Sequence, residues 1–237
     1  MKKILALILI VAMVCSLSGC GIVGKILNKY INEPQSDLNY EINELVEATE
    51  VSETQAEEKT FSLGTISGTT YESEFLSLGC SLSGDWTFYT DEEIKELNNM
   101  ATDLAGEEYE KLMEQSTIVY DMMASSNDQL SSVNIVLEKS NEVAVSSFDL
   151  EKNGEIIALS ARSSLENMGF TEVKSNVTTT EFLDSETQCL KWDMKMGTVD
   201  YYEIQVFVKA YDYLATITVA SDKISTCEEL LDSFYEL

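Results

Sequence analysis

Residues 190–221, LKWDMKMGTVDYYEIQVFVKAYDYLATITVAS, read as three successive β-strands. Leu190, Trp192, Met194 and Met196 point one way, while Lys191, Asp193 and Lys195 point the other. That alternation matches the two-residue period of a half-buried strand. Tyr202, Ile204, Val206 and Val208 repeat it, and Tyr211-Asp212 turns the chain into Leu214 to Ser221. The linking turns are too short for a crossover helix, so these strands must pair antiparallel.

Outward from this meander the pattern changes period. Ile157, Ala161, Leu165 and Met168 share one helical face within about 149–168, and Gly169 is the expected stop. The Asn153-Gly154 pair is an unfavourable start for that helix. Upstream, Ile118 to Ala124 and Ser132 to Lys139 read as strands, joined by the turn-forming run Ser125-Ser126-Asn127-Asp128. Thr90 and Glu93 form a capping box that opens a helix with Ile94, Leu97, Ala101 and Leu104 on one stripe. Gly106 breaks or bends it. Thr69 to Leu78 and Cys80 to Tyr89 are read as strands separated by Gly79. Ser225 and Glu228 are read as a second capping box, starting a last helix with Leu230, Leu231 and Phe234. The predicted order is β-β-α-β-β-α-β-β-β-α. It describes a single α+β domain over residues 66–237, a largely antiparallel sheet with helices packed on it.

The N-terminus carries a different signal. Lys2 and Lys3 precede an apolar run from Ile4 to Val14, too short to span a bilayer and suited to the core of a signal peptide. Leu17-Ser18-Gly19-Cys20 follows. This segment resembles the lipobox of bacterial lipoproteins. The resemblance implies a signal peptide over residues 1–19, cleaved before Cys20, whose sulfur receives a diacylglycerol. The expected location is the extracytoplasmic face of the cell membrane, held there by two acyl chains, since one chain alone anchors only marginally. Residues 20–65 are then the lipidated cysteine and an acidic flexible stalk. Ile22, Val23, Ile26, Leu27, Tyr30 and Ile31 recur at helical spacing with Lys25 and Lys29 opposite, which suits either a short interfacial helix or a plain tether. From 33 to 60 nine acids face the single Lys59, a bias that favours solvated chain.

Charge and composition narrow the function. The chain has 237 residues, 42 acidic against 15 basic, no histidine and a formal charge of −27. Such a chain repels phosphate, so no nucleic-acid partner is expected. Without histidine there is no Ser-His-Asp or Cys-His set and no histidine-ligated metal. No S-x-x-K, G-x-S-x-G, Walker or G-x-G-x-x-G pattern occurs. Carboxylates are so many that no pair stands out as an acid/base couple, and no catalytic residue, cofactor or metal is assigned. Asp91/Glu92/Glu93 and Glu107/Glu108/Glu110 offer hard oxygens for calcium, but acids in a helix's first turn already have a reason in the helix dipole. Cys80, Cys189 and Cys227 remain after processing besides Cys20. Cys80 shares a face with Leu78 and Leu82 and is expected to be buried. Cys189 falls on the polar face of its strand, and Cys227 lies in the first turn of the last helix, where a thiol's pKa can drop. Tyr201, Tyr202, Phe207, Tyr211 and Tyr213 either line a groove for a sugar or peptide or fill the core.

The succession of a strand pair ending in Gly84-Asp85-Trp86, a helix, the methionine-bearing strand around Tyr120, a further strand, a helix, the meander and a C-terminal helix resembles the Mog1/PsbP-like α/β/α sandwich. Its named members are non-catalytic binding or assembly factors. No residue here matches their functional motifs, so the resemblance implies a fold and not a partner. The expected role is a non-catalytic binding or assembly module, with a protein or small ligand unidentified. Alternatives are a solute-binding lipoprotein serving a transporter, or a carboxylate-based cell-wall enzyme.

Overall fold

The computed structural model describes residues 60–98 and 115–237. The signal peptide, Cys20, the stalk as far as residue 59, Ala101, Leu104, Gly106 and the Glu107/Glu108/Glu110 cluster lie outside the described residues.

Two antiparallel sheets and four helices make up the described chain. The smaller sheet has the order β1-β2-β3-β11: Thr65–Ser67, Thr70–Ser73, Leu78–Ser81 and Phe234–Glu236. The larger contains β4 (Trp86–Phe88), β5 (Ile118–Ser126), β6 (Ser131–Lys139), β7 (Phe170–Phe182), β8 (Ser185–Met196), β9 (Val199–Ala210) and β10 (Tyr213–Ser221). Its order is β4-β5-β6-β10-β9-β8-β7, so β10 sits in the centre with β6 and β9 on either side. The helices are α1 (Asp91–Leu97), α2 (Glu142–Ser147), α3 (Leu150–Asn167) and α4 (Ile224–Leu231). The α+β architecture expected from the sequence is the one observed.

Both faces of the large sheet are covered. On one, Val133, Ile135 and Leu137 of β6 join Ala215, Ile217 and Val219 of β10 and Ile204 and Val206 of β9. The small sheet and α4 close over them with Tyr71, Leu78, Cys80, Cys227, Leu230 and Leu231. On the other face, Leu190, Trp192 and Met194 of β8 meet Ile157, Ala158, Ala161 and Leu165 of α3. This double cover explains why Cys189 and Leu190, adjacent and on opposite faces, are both fully buried. Cys189 is therefore not on a polar face, as alternation in β8 alone suggested. Its side belongs to the core shared with α4.

Local chemistry accounts for most element ends. Thr90 Oγ1 accepts from the Glu93 amide at 3.3 Å, and the Thr90 amide donates to Glu93 Oε2 at 2.8 Å, so the expected capping box is present. Asp149 caps α3 by accepting from the Glu151 amide at 3.0 Å, and Gly169 ends it with φ +98°. Four expectations are corrected. Ser225 does not cap α4. The helix begins at Ile224 after Lys223 with no side-chain cap, and Ser221 Oγ instead accepts the Lys223 amide at 3.2 Å. Phe234 is not in that helix but in β11, opposite Cys80 of β3. Gly79 does not separate two strands. It lies inside β3 because the Tyr235 ring occupies the place of a Cβ, 2.4 Å from where one would sit. The residues between Ser73 and Leu78 turn instead, with Ser77 at φ +56°. Finally, four strands rather than three lie between α3 and α4, because the polar edge strand β7 precedes β8.

The packed region also starts before residue 66. The Phe61 ring stacks on Tyr213 with centroids 4.8 Å apart and meets Phe75 edge-on at 5.4 Å.

Candidate functional site

Cross-strand register places a polar patch in the middle of the helix-facing side of the large sheet. One lateral row runs Met123 (β5), Asn134 (β6), Thr218 (β10), Gln205 (β9), Leu190 (β8) and Val177 (β7). Its ends are apolar and helix-covered: Met123 packs with Ile94 of α1, and Val177 lies against Gly154 of α3. Its middle is Asn134, Thr218 and Gln205, exposed by no more than 2%. The row beside it runs Ser132, Ala220, Glu203 and Trp192. Ser132 and Glu203 are buried as well.

The chemistry of this patch is unusual for a sheet interior. Trp192 Nε1 donates to Gln205 Oε1 at 3.4 Å. Among the described residues, neither amide atom of Asn134 nor the hydroxyls of Ser132 and Thr218 have a hydrogen-bond partner. A buried polar group left unpaired costs about 1–3 kcal/mol, and buried side-chain polar atoms are normally satisfied. These unpaired atoms belong to three residues adjacent across β6 and β10. They offer both donors and acceptors beside the buried carboxyl group of Glu203 in the next row, which suits a polar molecule or ordered water.

Other places singled out from the sequence have structural explanations. Asp91, Glu92 and Glu93 form the first turn of α1, and Glu93 is engaged in its capping box. Among the described residues no group of acidic and cysteine side chains is arranged to hold a metal ion. Cys80, Cys189 and Cys227 are buried free thiols. Burial pushes Cys80 up to about 11 and Cys227 up to about 12, with Glu203, Glu228 and Asp222 adding to the latter. The position of Cys227 near the start of α4 therefore does not activate it, because desolvation outweighs the helix dipole. The aromatic residues divide: Tyr201 and Tyr213 are buried, whereas Tyr211 is 43% exposed. Phe207 packs on Phe148 with centroids 5.3 Å apart, in a shallow groove of about 480 Å³ whose rim includes Glu151, Gln188 and Lys209. The rim groups are already paired, Gln188 to Glu151 at 2.9 Å and Lys209 to the Ser146 carbonyl at 2.9 Å. The polar patch was missed in the sequence because its residues read as the ordinary outward face of exposed strands.

No described helix is long and apolar enough to cross a membrane. No family profile matches the chain, and no curated protein does. A solved structure from Bacteroides thetaiotaomicron VPI-5482, determined at 1.50 Å resolution, aligns with a TM-score of 0.40 and 10% identity. The alignment covers 73% of this chain and 49% of that one, so the chain spans about half the length of that neighbour.

Proposed function

We propose that this is a lipid-anchored extracytoplasmic lipoprotein whose α+β domain is a non-catalytic binding module. The Leu17-Ser18-Gly19-Cys20 segment supports the anchor. The observation that carries binding is the buried patch of Asn134, Ser132 and Thr218 with its unpartnered donors and acceptors. Buried polar atoms are normally satisfied, and a ligand or ordered water is one way in which such a set is completed. The patch favours a second reading, capture of a small polar solute for a transporter. The finer fold we infer is the Mog1/PsbP-like sandwich, supported by α2 and α3 on one face of the sheet and α4 on the other.

The test is thermal melting of the full-length protein in detergent with N-acetylglucosamine and with glutamine, beside native mass spectrometry of the protein as purified. A melting shift or a retained small molecule, lost in Asn134→Leu, is the expected result. Hydrolysis of wall fragments that one carboxylate substitution abolishes would replace the reading with an enzyme.

A further inference from the structure

Asp121 stands where the register between β5 and β6 slips, between Tyr120 and Met122. The irregularity leaves its side chain buried. Asp121 Oδ2 accepts from the Tyr71 hydroxyl of β2 at 2.6 Å. Oδ1 accepts from the Gly64 amide at 2.8 Å. Gly64 is the residue just before β1, in the stretch through which the chain enters the domain. A Cβ at Gly64 would lie 2.2 Å from the Tyr71 ring, so only glycine brings this amide to the carboxylate. Residues 65–67 of β1 are exposed and, among the described residues, pair with β2 alone. The entry segment is thus held by Phe61 on the aromatic cluster and by Gly64 on Asp121.

The groups facing Asp121 among the described residues donate hydrogen bonds to it but bring no positive charge to offset its burial. From β2 comes Tyr71, itself held well above its usual pKa and so a neutral donor. Cys80 of β3 acts on Tyr71 and is likewise pushed up. The entry segment contributes a neutral amide. No lysine or arginine among the described residues makes an ion pair with Asp121.

We propose that Asp121 is a proton-operated latch on residues 60–67, closed while its carboxyl is neutral and loosened when it ionises. Opening the segment lets water reach the carboxylate, and water stabilises the ion that the closed state solvates poorly. Burial pushes Asp121 up to about 6 from 3.8, against the opposing pull of Tyr71 and Gly64. Below about pH 4 the carboxyl is protonated whether open or closed, and opening does not vary. Between about 4 and 6 the closed state holds more proton than the open one, so opening rises with pH. Two pKa units correspond to about a hundredfold in the opening equilibrium, reached above pH 6.

Hydrogen exchange of the Gly64 amide, corrected for its intrinsic rate, tests this in the full-length protein from pH 4 to 7.5. The wild type is expected to show an opening equilibrium that climbs up to a hundredfold across that window. Asp121→Asn, whose amide can accept from Gly64 and donate to Tyr71, is expected to be flat. Tyr71→Phe removes a donor to the ionised carboxylate and is expected to move the climb to higher pH. The same climb in Asp121→Asn overturns the latch. So does an opening equilibrium for Gly64 equal to that of the Ile135 amide in β6, since only global unfolding would then be seen. If Asp121→Asn does not fold, Tyr71→Phe decides, and an unmoved or lowered midpoint overturns the proposal.

Discussion

Gly154 in the first turns of α3 lies so close to Val177 of β7 that a Cβ on the glycine would stand 2.3 Å from the valine Cγ2. The glycine that weakens the helix by sequence rules is what lets the helix settle on the sheet. Gly154→Ala gains about 1 kcal/mol of helix propensity and loses about 1–3 kcal/mol to overpacking against a stiff β-branched side chain. The expected net is a destabilisation of about 1 kcal/mol, read by urea unfolding. In a Val177→Ala background the clash is gone, and the same alanine is expected to stabilise. A double-mutant cycle measures this coupling directly.

Asn134 carries the largest unmet demand in the central patch. Asn134→Leu has a similar volume and no polar atoms. Replacing an unpaired buried amide by an apolar group is expected to stabilise the ligand-free protein by about 1–2 kcal/mol. A loss of similar size would mean that the amide is satisfied in solution. Thr218→Val and Ser132→Ala are expected to act in the same direction with smaller effects.

The three domain thiols should behave as core side chains. At pH 8 in the folded protein, Cys80, Cys189 and Cys227 are expected to resist alkylation by iodoacetamide, since burial raises all three pKa values. In urea they should label together. Peptide mass mapping gives each site separately, and fast native labelling of Cys227 alone would show that α4 opens locally.

Lipidation has a direct readout. Cys20→Ser is expected to abolish incorporation of a fatty-acid probe and release the protein from the membrane fraction. Persistent labelling of the variant would refute attachment at Cys20.

How far the fold was legible depended on the strand. The meander β8-β9-β10 was read because each strand alternates cleanly or is continuously apolar. The capping box at Thr90 and the stop at Gly169 were read because each is a local hydrogen-bonding or φ requirement. β7 escaped because an edge strand needs little apolar alternation, and Thr178-Thr179-Thr180 bury too little to mark it. α2 escaped because six residues give no usable period. Gly79 reads as a break in the sequence because the ring that requires it, Tyr235, is 156 positions away in the chain.

The sequence by itself determined the class of the domain, the antiparallel pairing of its meander, the absence of histidine chemistry and the strong negative charge. All of these follow from composition or from contacts within a few residues. Only the tertiary structure decided which polar residues are buried. Asn134, Thr218 and Gln205 come together because β6, β10 and β9 are neighbours, an order that the chain does not follow. Likewise Asp121 meets Gly64 and Tyr71 only because a register slip turns it inward against residues 57 and 50 positions earlier. Burial depends on what folds over a residue, and for Asp121 that cover comes from segments distant in the chain.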